Sequence, residues 1–306
     1  MIERRLFLQS VTASAVLSSS TLLGQEQARS KRIAIIVGPS KHPPGTHEVA
    51  ASGRLVQHCL KNVSNLPGIE ADIHYEWPQD DSAFDSVSSL VFFGDYFPPM
   101  RMPDSEGILS KLSILMQRGC GIVCIHYATG LTASDVADDG SHPLLGWMGG
   151  YFATKCKHHQ SVAKVFPEAT ITPAATGHEV MRGWREFTLN DEPYIENYFG
   201  PDNNQPAANV ITFATSLLPP EAPKLQTVAW GVERNDGGRG FAIVMPHFYR
   251  NWKDEDLRRF VLNGILWSAK IEVPEGGAKT SLVDLKMFEP DALEPLKARP
   301  RKAPDE

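Results

Sequence analysis

Residues 32–39 read Arg32-Ile33-Ala34-Ile35-Ile36-Val37-Gly38-Pro39, five apolar residues in a row stopped by Gly-Pro. A half-exposed strand alternates apolar and polar; an unbroken short run reads as a strand covered on both faces, as in a parallel sheet. A Pro/Gly loop follows, then residues 48–65, where Val49, Leu55, Val56, Cys59, Leu60 and Val63 recur at near-helical spacing. Strand, loop and helix open a βαβ unit. The rhythm continues outward: residues 69–75 and 90–93 read as strands, residues 108–118 as a helix introduced by Asp104 or Ser105 and ended by Gly119, and Gly121-Ile122-Val123-Cys124-Ile125-His126 as a fourth buried strand. This order predicts an α/β chain with a doubly wound, mostly parallel sheet and helices on both faces.

Residues 142–226 break the rhythm with Gly, Pro, Asn and Asp clusters, and read as an irregular insertion of short strands and loops. Residues 227–233 and 240–245 flank Asn235-Asp236-Gly237-Gly238, which predicts a hairpin. Residues 254–270 follow as an amphipathic helix with Leu257, Phe260, Val261, Ile265 and Leu266 on its apolar side. The expected organisation is residues 31–272 as one domain and 273–306, rich in Pro, Lys and Glu, as a partly disordered extension.

The first thirty residues read as an address. Arg4-Arg5-Leu6-Phe7-Leu8 is followed by small and apolar residues to Leu23, with no acidic residue between Arg5 and Glu26, the pattern of a twin-arginine export signal. The expected location is periplasmic, with membrane contact only through that leader if it is not cleaved. The whole chain of 306 residues carries 30 Lys plus Arg against 36 Asp plus Glu, a formal charge of -6. With no basic surplus to neutralise a phosphate backbone, nucleic acid is excluded as a partner. Four cysteines, Cys59, Cys120, Cys124 and Cys156, are too few and too irregular for a disulfide scaffold or a CxxC zinc site.

In an open α/β sheet the ligand crevice lies beyond the carboxyl ends of the strands. The loop after the first strand carries His42, His47 and Glu48, the fourth strand ends at His126, and the last runs out at Met245-Pro246-His247. With His47 taken as the better placed of the loop pair, His47, His126 and His247 are expected to share one rim. They either hold a divalent metal such as zinc, with Glu48 or Glu233 as an oxygen ligand, or act without metal as general bases and hydroxyl-binding groups. Phe248, Tyr249, Arg250, Asn251 and Trp252 suit stacking on a sugar ring, or else close the core; Tyr127 carries the same two readings. Asp191-Glu192-Pro193-Tyr194-Ile195-Glu196 offers three carboxylates, of which Glu192 or Glu196, not both, is expected in the pocket. His158-His159 is expected on the surface or at the mouth of the crevice. A thiol nucleophile is disfavoured, because the turn position that an elbow needs is filled by His126-Tyr127, with Cys124 a layer deeper.

Residues 121–129 (GIVCIHYAT), 177–194 (GHEVMRGWREFTLNDEPY), 228–231 (VAWG) and 240–267, where an apolar strand leads to a histidine and then to LRRFVLNGILW, together resemble the ThuA-like trehalose-utilisation family over about residues 31–270. That resemblance implies a class I glutamine amidotransferase-like, flavodoxin-like fold without the amidotransferase cysteine, and so not a glutamine amidotransferase. It implies sugar catabolism involving disaccharides and 3-keto glycosides, with a hydrolase, lyase or isomerase among the candidates. By matching position, His47-Glu48, His126, Asp191-Glu192, Tyr194 and His247 would form the pocket. The chain departs from the family at a Pro-rich loop around His47 and at Cys156-Lys157-His158-His159. The functional expectation is an exported protein acting on a sugar or keto-sugar derivative. His126, His247 and Glu192 would be catalytic, with Tyr127, Asp191, Tyr194, Glu196, Tyr249 and Trp252 binding substrate; the alternative is a non-catalytic periplasmic carbohydrate-binding protein.

Overall fold

A computed structural model describes residues 32–281 and 284–296. The export pattern and the last ten residues lie outside the described residues. The chain runs β1 (Arg32–Val37), α1 (Val49–Lys61), β2 (Glu70–His74), β3 (Val87–Phe93), α2 (Ser105–Gln117), β4 (Gly121–Ile125), β5 (Gly130–Thr132), α3 (Pro143–Met148), β6 (Phe152–Thr154), β7 (Phe166–Pro173), β8 (Phe187–Asp191), β9 (Val210–Leu218), β10 (Lys224–Glu233), β11 (Arg239–Ile243) and α4 (Glu255–Ser268). The apolar runs become strands because both faces are covered: Ile33 to Val37 and all of β4 are buried. The helices start on side-chain caps. Asp104 accepts from Gly107 N at the head of α2, and Asp254 accepts from Leu257 N at 2.8 Å before Glu255 and Asp256 fill the first turn of α4.

Nine strands form one sheet in the order β2-β1-β3-β4-β11-β10-β9-β7-β8. β2, β1, β3, β4 and β11 are mutually parallel; β10, β9, β7 and β8 continue antiparallel. This is the mostly parallel, flavodoxin-like arrangement, with the expected β10–β11 hairpin. Helices cover both faces. A Cβ on Gly240 would meet the Trp147 carbonyl of α3, whereas the ring of the next residue, Phe241, lies against Gly264 of α4. Adjacent strand residues point to opposite faces, so α3 and α4 lie on opposite sides.

The region read as an irregular insertion is part of this sheet. β7 buries Phe166, Ala169 and Ile171 and exposes Pro167, Glu168 and Thr170. A register shift between Phe166 and Ala169 breaks its period and hid it from pattern reading. Among the described residues only β5 and β6 pair apart from the main sheet. Of the extension, the described residues 273–281 and 284–296 pack against the body, with Val273, Ala278, Leu285 and Phe288 buried, and the tail expected to fray at 297–306 lies outside the described residues. Four spaced apolar residues supply that adhesion within a stretch whose composition is otherwise polar.

From β1 the chain goes to β2 on one side and then to β3 on the other. The loops leaving the carboxyl ends of β1 and β3 therefore diverge and open a crevice.

Candidate functional site

Four parallel strands each deliver one group to that crevice. The loop after β1 brings His47, the residues after β3 bring Asp95, β4 runs directly into His126, and β11 leads through Val244-Met245-Pro246 to His247. His126 takes a left-handed backbone (φ 52) between the strand and a 3-10 turn of residues 126–129, closed by Thr129 Oγ1 donating to the His126 carbonyl at 2.7 Å. This is the sharp strand-to-helix turn on which a nucleophile elbow places its reactive atom, and here it projects an imidazole. His47 is also left-handed (φ 42). Such a conformation is costly for a residue with a Cβ and persists where surrounding bonds hold it.

The three rings meet through nitrogen. His47 Nε2 lies 2.9 Å from His247 Nδ1, His126 Nε2 lies 3.0 Å from His47 Nε2, and His126 Nε2 lies 3.2 Å from His247 Nδ1. Their other contacts fix the tautomers of two of them. His47 Nδ1 faces Asp95 Oδ1 at 2.8 Å and His126 Nδ1 faces the Val244 carbonyl at 3.0 Å. Carbonyl and ionised carboxylate oxygens cannot donate, so both Nδ1 atoms carry the hydrogen and both Nε2 atoms present lone pairs inward. Glu192 Oε2 adds an oxygen 3.3 Å from His247 Nδ1, and Tyr194 Oη lies 3.1 Å from His126 Nε2 with its ring stacked on the imidazole. A small space of about 20 Å³ lies against these rings, bounded elsewhere by Phe93, Ile125 and Trp252. That is room for about one water or ion.

Burial keeps the imidazoles neutral. It lowers His47 to about 4 against the opposing bond from Asp95, and lowers His247 to about 3 with help from His47 and His42. Burial also drives His126 well below its ordinary value, reinforced by His47 and His247. Asp95 is partly buried, which opposes ionisation, yet bonds from His42, His47 and the Lys41 amide hold its carboxyl below the usual range. Glu192 moves the other way, raised to about 7 by burial and by the charge of Asp191.

Several expected site residues are elsewhere. Glu48 spends its carboxylate on the backbone amides of Gly45, Asp291 and Ala292. Glu233 ends β10, which runs antiparallel to its neighbours, so it lies at the opposite end of the sheet, paired with Arg239 at 3.2 Å. Of the two glutamates set against each other, Glu192 is at the rings. Glu196 pairs with Gln226 at 3.1 Å and Lys224 at 3.5 Å. Asp191 is fully buried and offers no surface to a substrate; its Oδ1 accepts from the amides of His247 at 2.9 Å and Phe248 at 3.1 Å, which anchors the turn that presents His247. Tyr249 and Trp252 are core residues, the phenol donating to the Leu285 carbonyl and the indole to Ser52 Oγ, so neither is a stacking platform. Arg250 and Asn251 bond Asn190. His158 and His159 bond Tyr151 Oη and the Glu196 carbonyl. Cys124 is wholly buried, and burial raises its thiol well above the ordinary value, as packing would. Tyr127 stands edge-on to His47 and His42 and beside Tyr194, as an aromatic wall of the crevice.

Asp95 escaped the sequence reading, and His42 was passed over for His47. His42 stacks on His47 with ring centroids 3.5 Å apart, and its Nδ1 shares Asp95 Oδ1 at 2.8 Å. The strand-end rule that singled out the histidines applies equally to Asp95, two residues beyond β3, but Gly94-Asp95-Tyr96-Phe97-Pro98-Pro99 reads as a turn.

These donors suit a metal. Zinc bound by histidine at about 2.0–2.1 Å in tetrahedral geometry separates the nitrogens by roughly 3.3 Å. The observed 2.9–3.2 Å is a few tenths less, with the lone pairs already aimed inward and a carboxylate and a carbonyl behind the rings.

The ThuA family model, described as trehalose utilisation, matches residues 55–268. A ThuA-like protein of Parabacteroides merdae superposes with a TM-score of 0.53 at 17% identity, over 80% of this chain and 92% of that one. One from Bacteroides uniformis gives 0.53 at 13% identity, over 80% and 94%. A glutamine amidotransferase of Methylobacillus flagellatus is more distant, with a TM-score of 0.37 at 12% identity over 82% and 99%. No curated protein matches the sequence.

Proposed function

The chain belongs to the ThuA family, and from that premise we propose that it is a metal-dependent enzyme acting on a sugar or keto-sugar derivative, with His47, His126 and His247 as ligands of a divalent ion such as zinc. The observation that carries this reading is the triangle of ring nitrogens, 2.9, 3.0 and 3.2 Å on its sides, with two lone pairs turned inward. Without a cation, His247 Nδ1 and the Tyr194 hydroxyl can each supply at most one hydrogen, and the lone pairs of His47 and His126 still face each other at 3.0 Å. A divalent ion supplies Lewis-acid polarisation of a carbonyl or hydroxyl oxygen.

The protein's own groups do the rest. Glu192, raised to about 7 by burial, takes or returns a proton near neutral pH, and it stands beside the rings. Proton abstraction from carbon beside a keto-sugar carbonyl is the reaction that one polarising centre and one such carboxyl serve most directly. Tyr127 walls the crevice with an aromatic face, Tyr194 is buried between His126 and Phe152 and so supports the ring instead of meeting a substrate, and Asp191 holds the His247 turn. The leader pattern around Arg4-Arg5 extends the reading to periplasmic export.

The test is elemental analysis of the purified protein, with turnover of disaccharides and 3-keto disaccharides in H2O and D2O. Wild type, His126→Ala and Glu192→Gln are compared. About one equivalent of metal, lost in His126→Ala, and solvent deuterium in the product, lost in Glu192→Gln with metal retained, are expected. Ligand affinity without turnover would favour the carbohydrate-binding alternative, and activity in metal-free wild type would defeat the proposal.

A further inference from the structure

The loop that carries His47 is held down from the far end of the chain. We infer that residues 284–296 and Glu48 form a clamp that fixes His47 in place, which makes Glu48 a positioning residue of the centre; the inference rests on the three-histidine reading above. Glu48 Oε1 accepts from Gly45 N at 2.7 Å and from Ala292 N at 3.2 Å, and its Oε2 accepts from Asp291 N at 3.1 Å. One carboxylate thus joins the loop before α1 to a segment more than 240 positions away.

Other bonds run the same way. Leu296 N reaches the Pro44 carbonyl at 3.4 Å. Arg250 binds Glu294 at 3.0 Å, and Tyr249 donates to the Leu285 carbonyl at 2.9 Å, which attaches the segment to the turn just after His247. The two histidine loops are themselves stitched, His47 N to the His247 carbonyl at 3.0 Å and Tyr249 N to the Gly45 carbonyl at 3.1 Å. Gly45, at φ 86, lies so close beneath the segment that a Cβ there would sit 2.4 Å from the Glu294 carbonyl oxygen. At the opposite end the segment is anchored on α1, where Arg54 donates to the carbonyls of Phe288 and Glu289. His47 is left-handed in a loop of Pro and Gly, so its own backbone does not favour the position it takes, and an external restraint has a job there.

The experiment uses the full chain with zinc as the probe. Zinc affinity by chelator competition and amide hydrogen exchange of residues 43–49 are measured for wild type, Glu48→Ala, Glu48→Gln and Arg54→Ala. Outer-shell supports typically change metal affinity about 10–100-fold. Glu48→Ala should weaken zinc binding by about that factor and speed exchange, and Glu48→Gln, which keeps an accepting oxygen, should recover most of the loss. Arg54→Ala, which touches neither the loop nor the rings, should weaken binding by roughly severalfold through the segment alone. Affinity in Glu48→Ala within about twofold of wild type, with unchanged exchange, overturns the clamp; an effect in Glu48→Ala and none in Arg54→Ala overturns the part assigned to the segment. If wild type binds no zinc, the metal reading has failed, and exchange at residues 43–49 decides the clamp by itself.

Discussion

A carboxylate oxygen that receives two imidazole N–H groups determines, for both rings, which nitrogen carries the proton. Asp95 Oδ1 does this for His42 and His47 at 2.8 Å each, while Ser40 Oγ and the Lys41 amide hold the carboxylate still. Replacing it by Ala frees His47 to move its hydrogen to Nε2, and that hydrogen would then point at the other two histidines. Asp95→Ala should therefore lower divalent-metal affinity by about 10–100-fold with the fold intact. Competition titration against a chelator checks this, and unchanged affinity would mean that the tautomer is fixed by something else. At the same scale the sequence was informative about residue type and poor about direction. Histidine at a strand end is conspicuous, and the fold does bring His47, His126 and His247 together. Asp95 was not singled out, and Glu48 and Tyr249 looked like pocket groups, because orientation depends on which partner each side chain finds.

Among the elements, α3 begins on an unusual cap. His142 accepts the Leu144 amide through Nδ1 at 3.0 Å, with Pro143 following, so the cap works only with a neutral ring. Burial lowers His142 from 6.5 to about 4. A base whose folded value is depressed binds fewer protons folded than unfolded, so its contribution is complete above about pH 6.5 and is lost as pH falls toward 4. His142→Asn keeps an N-cap that does not titrate. Relative to wild type it should gain on the order of 2 kcal/mol of unfolding free energy between pH 7 and pH 4.5, read from denaturant melts at both values; parallel profiles would refute the assignment. Element recognition from sequence followed the same logic of environment. β1 and β4 declared themselves as unbroken apolar runs, and α4 by its period. β5 and β6, three residues each, carry too few positions for any period, and β7 loses its alternation at a register shift.

For the molecule as a whole, a ligand that binds only the folded state adds stability by mass action. Zinc held at 100 times its Kd should raise unfolding free energy by about 2.7 kcal/mol, which is several degrees in Tm for a domain of this size. Calorimetry before and after chelation measures it, and coincident melts would argue against a bound ion. The architecture was legible because a parallel sheet must be hydrophobic on both faces. Of the antiparallel strands β10 was legible through its hairpin, whereas β7, β8 and β9 were not, since their long-range pairing leaves little local trace. Export is checked by fractionation: the paired change Arg4→Lys and Arg5→Lys should leave the chain in the cytoplasm, and unchanged distribution would reject the address. The parallel arrangement bears on that journey too. β1 starts at Arg32, so whatever is joined there departs from the end of the sheet opposite the histidines. A molecule moored by that end would stand on its base with its mouth turned outward, free to meet solutes that a lipid surface would otherwise screen.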